Sequence, residues 1–76
     1  MFLRRLGNDA SGPTLCARSC PDILELADGD FAIIGADITP EAVTFLPKGS
    51  GCGPEERIVR IPRALLLRAR QDIPAA

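Results

Sequence analysis

Three cysteines are the residues whose type and spacing most invite chemistry. Cys16 and Cys20 are separated by three residues, and Cys52 stands in Gly51-Cys52-Gly53, where glycines on both sides let the backbone bend a thiolate toward an ion. Thiolates bind zinc or iron–sulfur clusters, so Cys16, Cys20 and Cys52 form a candidate metal set. Structural zinc takes four protein ligands, and a fourth here would be a carboxylate such as Asp22 or a water. A disulfide between Cys52 and either Cys16 or Cys20, or three inert thiols, fits the same count. The chain has no His, Tyr or Trp, which removes the commonest general base and the commonest metal ligand together. A catalytic cysteine would therefore have only arginines to activate it. These readings point away from an enzyme and toward no resident cofactor, with zinc as the alternative.

Charge is the second chemical resource. Residues 1–56 carry four cations against nine carboxylates (net −5), whereas residues 57–76 carry five arginines against Asp72 (net +4). Such asymmetry speaks to partners rather than to fold. Arg63, Arg68 and Arg70 raise the alternative of DNA binding through the C-terminal segment. An isoelectric point near 5.2 and only three phenylalanines for stacking disfavour nucleic acid. Lys48-Gly49-Ser50-Gly51 has its lysine ahead of the glycines, the reverse of a phosphate-binding loop, and reads as a flexible loop.

The elements that must position these residues are short. Residues 1–15 read as a flexible N-terminal segment, dominated by the turn formers of Gly7-Asn8-Asp9-Ala10-Ser11-Gly12-Pro13-Thr14. Residues 16–76 read as one small α+β domain. Within it Ile23-Leu24-Glu25-Leu26 and Phe31-Ala32-Ile33-Ile34 flank Asp28-Gly29, a strong hairpin signal. A two-residue turn would set Leu26 opposite Phe31 and Leu24 opposite Ile33 on one face, with Glu25–Ala32 and Ile23–Ile34 on the other. Thr39-Pro40-Glu41 then suggests a helical turn capped by Thr39 and stopped by Pro47. Residues 56–61 read as a third strand of the hairpin's sheet, ended by Pro62, and residues 62–71 as a C-terminal helix packed on that antiparallel sheet. Leu65, Leu66, Ala69 and Ile73 make its inward face.

A hairpin apolar on both faces in a chain of 76 residues has more to bury than its own length can cover. That arithmetic favours a non-catalytic protein-interaction or regulatory module whose partner is another protein or a second copy of the chain. Ile23, Ala32 and Ile34 are its expected anchors, and Arg63 and Arg70 its rim charges. No apolar run approaches the length of a membrane span, and Met1-Phe2-Leu3-Arg4-Arg5-Leu6 lacks the apolar stretch of a secretory signal, so a cytoplasmic location is expected.

Two resemblances accompany this reading. Arg60-Ile61-Pro62-Arg63-Ala64-Leu65-Leu66 is similar to the strand–Ile-Pro–helix segment of swapped-hairpin transition-state regulators and related antitoxins. More broadly, Cys20-Pro21, a strand, the Asp28-Gly29 turn, an apolar strand ending at Gly35, and a closing strand with Ile61-Pro62 and Ala64-Leu65-Leu66 resemble a group of small uncharacterised actinobacterial proteins. Those are often encoded near helix-turn-helix regulators. The likeness supplies no catalytic residues and implies an accessory or regulatory role beside a transcriptional regulator or a toxin–antitoxin-like pair.

Overall fold

The computed structural model describes residues 1–7 and 21–74. The fold is α+β, with a three-stranded antiparallel sheet, a second two-stranded sheet and a C-terminal helix. Strand β1 is Phe2–Leu6, β2 is Asp22–Leu26 and β3 is Phe31–Ile34, ordered β1-β2-β3. Strand β4 (Ala36–Asp37) pairs with β5 (Val59–Arg60) in the second sheet. Helix α1 (Thr39–Ala42) runs into a 3₁₀ turn at Val43–Phe45, and α2 spans Arg63–Arg70.

Two expectations about strands are corrected. The third strand of the main sheet is β1, from the segment expected to be flexible, while the C-terminal strand joins the second sheet instead. The physical reason is charge. Arg4 and Arg5 sit opposite Glu25 and Leu24, and their guanidinium Nε atoms bond Glu25 Oε1 at 2.9 Å and Asp22 Oδ2 at 2.7 Å. Both carboxylates are buried, so β1 supplies the partners without which their desolvation would be costly.

The hairpin register is the second correction. Leu26 N–H donates to Asp30 O, Gly29 N–H donates to Leu26 O, and Gly29 has φ +98°. The loop therefore has three residues, Ala27-Asp28-Gly29, with glycine in the left-handed position, rather than two. Asp28 Oδ1 accepts from Asp30 N–H and fixes that turn. The pairs become Glu25–Phe31, Leu24–Ala32, Ile23–Ile33 and Asp22–Ile34. A slip of one residue moves side chains to the opposite face. Here it sets Phe31 and Ile33, rather than Ala32 and Ile34, on the face of Ile23, the face that also carries Leu6 and meets α2.

Among the described residues the core consists of Leu6, Ile23, Leu65 and Ala69, with Ile61 packed against it. Burying each of the larger three contributes about 1.5–3 kcal/mol. Helix α2 begins after Pro62, as Pro62 φ −63° and its missing donor dictate, and turns Leu65 and Ala69 inward. Leu66 and Ile73, expected on that inward face, are exposed instead: Leu66 is turned about 100° from Leu65 around the helix, and Ile73 lies past the end of α2 at Arg70.

Gly7 makes the closest approach between sheet and helix. Its φ is +71°, and a Cβ there would lie 2.7 Å from Ala69 N and 3.1 Å from Leu65 O. Gly7 N–H donates to Asp72 Oδ2 at 2.8 Å, and Arg68 Nε donates to Gly7 O at 2.8 Å. Arg4 Nη2 adds a bond to Asp72 O. Gly49 also has positive φ (+95°) but nothing within 4 Å of its would-be Cβ. Replacing Gly49 with Ala should cost about 1 kcal/mol, the left-handed penalty alone. Gly7→Ala should cost well over about 2 kcal/mol and leave much of the chain unfolded, since so small a core rarely supplies more than about 3–5 kcal/mol. Urea titrations of both variants followed by circular dichroism measure the difference; equal losses would contradict the close-contact account.

Candidate docking surface

The second sheet is tied together by a polar clamp. Ile38 N–H donates to Ile58 O, Ile58 N–H donates to Thr39 Oγ1 at 2.7 Å, and the Arg57 guanidinium reaches Asp37 Oδ2 at 2.8 Å. Thr39 was expected to cap α1. Ile38 takes the N-cap position instead, and the Asp37 carboxylate accepts from Thr39 N–H at 3.0 Å, freeing the Thr39 hydroxyl for Ile58. Gly35 brings the backbones nearer still: a Cβ there would lie 2.5 Å from Arg60 O.

Where this clamp meets the main sheet, a cleft of about 610 Å³ opens between Pro21 and Ile34 on one side and Arg60, Ile61 and Pro62 on the other. Its lining is mostly apolar, with Arg60 as the cation. Pro62 is also the N-cap of α2, so the cleft's rim leads directly onto that helix. At 100° per residue Arg63, Leu66, Leu67 and Arg70 fall on one stripe of α2, opposite Leu65 and Ala69. Leu66 and Leu67 are 52% and 49% exposed. Among the described residues Arg60, Arg63 and Arg70 make no ion pair.

The expected anchors divide. Ile34 is 52% exposed and lines the cleft, and Ala32 is half-buried on the same face of the sheet. Ile23 is corrected: at 4% exposure it belongs to the core, buried by Leu6 of β1 and by Leu65 and Ala69 of α2. Arg63 and Arg70 are exposed on α2 as expected, whereas Arg68, grouped with them in the DNA-binding reading, is held against Gly7 O. Cys52 is a half-buried free thiol whose S–H donates to Glu56 O at 3.2 Å. Cys16 and Cys20 lie outside the described residues. Asp22, named as a candidate fourth metal ligand, is engaged by Arg5 and by Ile23 N–H. Among the described residues no helix is long and apolar enough to cross a membrane.

The contribution of Pro21, Arg60 and Ile61 was missed in the sequence, because the cleft is assembled from segments about forty residues apart. Leu66 and Leu67 were missed as surface residues for a different reason. The run Leu65-Leu66-Leu67 covers most of a helix circumference, so periodicity alone does not say which leucine faces in. In comparison with known proteins, the chain matches no family model, no curated protein and no solved structure.

Asp37 gives the clamp a pH signature. Hydrogen bonding from Thr39 and then the Arg57 guanidinium hold its carboxyl at about 2, below the ordinary 3.8. Because folding lowers this pKa, the contribution is complete above 3.8 and is lost as pH falls toward 2. The thermal midpoint of Asp37→Asn should lie below that of the native chain at neutral pH, and the gap should close over that acid window. A gap that stays constant down to pH 2 would show that the carboxylate's charge is immaterial to the clamp.

Proposed function

We propose that this chain is a non-catalytic regulatory accessory module that binds another protein, and that the partner presents an acidic segment carrying apolar side chains. The observation carrying this reading is the outward stripe of α2, with Leu66 and Leu67 exposed between Arg63 and Arg70. Buried leucines would supply the affinity, and the arginines would attract and orient a negatively charged segment. The cleft beside Arg60 extends this surface and offers Ile34, Ile61 and Pro62 to a second apolar anchor. The resemblance to small proteins encoded near helix-turn-helix regulators supports the same class of role, with the regulator or a toxin–antitoxin-like pair as the setting.

The test is a photo-crosslinking side chain placed at position 66 in cells, with position 48 in the exposed loop as its control. A single acidic protein crosslinked from 66 and not from 48 is expected. Titrating that purified protein against the double variant Arg63→Glu, Arg70→Glu should show affinity reduced by about tenfold or more, with the native salt dependence flattened. Crosslinking no stronger than at 48, or affinity untouched by the charge reversal, would overturn the proposal.

A further inference from the structure

The main sheet has two edges, and they are built differently. β1 is interrupted by a bulge between Phe2 and Arg4 and carries Arg4 and Arg5, features that keep an edge strand from pairing further. β3 has neither. Phe31-Ala32-Ile33-Ile34 pairs with β2 in unbroken register, contains no charge and no proline, and has no strand on its other side among the described residues. Phe31 and Ile33 are 41% and 47% exposed.

Backbone parity shows which groups that edge offers. Leu26 N–H bonds Asp30 O, so Leu26–Asp30 is a hydrogen-bonded pair. Alternation along an antiparallel ladder then turns the backbone groups of Ala32 and Ile34 toward β2, and those of Phe31 and Ile33 away from it. Farther along the chain Ile38 N–H bonds Ile58 O, the same parity, so β5 continues on β2's side. Pro21 meeting Arg60 and Ile61 in one cleft agrees with that placement. Among the described residues the outward N–H and C=O groups of Phe31 and Ile33 have no strand to bond.

We propose that two copies of this chain join through their β3 edges, antiparallel about a two-fold axis at Ala32, to make one continuous six-stranded sheet. In that register Phe31 and Ile33 of one copy exchange backbone hydrogen bonds with the same residues of the other, crosswise. The closely spaced central pair is then Ala32 against Ala32, small enough for the short Cα separation that such a pair has. Each Phe31 lies beside an Ile33 on the same face, an aromatic–β-branched combination favoured across strands. Asp30 falls opposite an Ile34, so no like charges confront one another, and the symmetry closes the assembly at two copies. This interface goes beyond the partner-binding surface, because it uses the backbone of β3 rather than the outer stripe of α2.

Sedimentation of the purified chain over a concentration series tests it. The native chain should have twice the mass of one copy, and Ile33→Lys should return it to the mass of one. Proline is tolerated on an edge where the lost donor faces outward, so Ile33→Pro should also give a monomer with the circular dichroism of a folded chain. Leu67→Lys, on the α2 stripe, should leave the dimer intact. A native chain that is monomeric throughout the micromolar range, or an Ile33→Lys variant that still dimerises, would overturn the inference. Neither result touches the crosslinking from position 66, so the two proposals fail separately. A monomer whose Phe31 and Ile33 amides gain hydrogen-exchange protection only when the crosslinked partner is added would assign the edge to a strand of that partner instead.

Discussion

The close approach of Gly7 to α2 is the contact on which the rest of the molecule depends. An eight-residue helix does not hold itself together in water and needs a surface to lie on. Gly7 lets the end of β1 come within backbone distance of Leu65 and Ala69, and the bonds from Arg68 and to Asp72 close over that point from both sides. Leu6 is thereby set against Leu65 and Ala69, and Ile23 on the neighbouring strand completes the core. Any side chain at position 7 would hold helix and sheet apart, since a Cβ there would lie 2.7 Å from Ala69 N.

So economical a core has consequences for the surface. Among the described residues the core takes up one stripe of α2 and part of one face of the sheet, and Leu66, Leu67, Phe31, Ile33 and Ile34 stay substantially exposed. The charges are sorted by the same geometry. Arg4, Arg5, Arg57 and Arg68 are spent on internal partners, while Arg60, Arg63 and Arg70 make no ion pair among the described residues. The contact role proposed above draws on that combination, apolar surface for affinity and the arginines of α2 for selection.

How far the site could be read in the sequence follows from the range of the interactions involved. The exposure of Ile34, Arg63 and Arg70 follows from local structure, a β-prone run and a proline-started helix. Ile23 was grouped with Ala32 and Ile34 because Asp28-Gly29 suits both a two-residue and a three-residue turn, and the difference of one residue exchanges which β3 side chains share its face. Its burial comes from Leu6 of β1 and from α2. β1 was overlooked because Arg4 and Arg5 look like a solvated pair until Glu25 and Asp22 are seen opposite them.

The amino-acid sequence by itself determined the mixed α+β class, the turn at Asp28-Gly29, the helix start after Pro62 and the division between an acidic body and a basic end, because each rests on neighbouring residues or on composition. Tertiary structure decided the strand order, the hairpin register, the inward leucine of α2 and the cleft between Pro21 and Ile61. Those outcomes are set by pairings between residues distant along the chain, where a buried carboxylate must find its arginine and a glycine must admit a helix, and no local pattern encodes which of the available partners will meet.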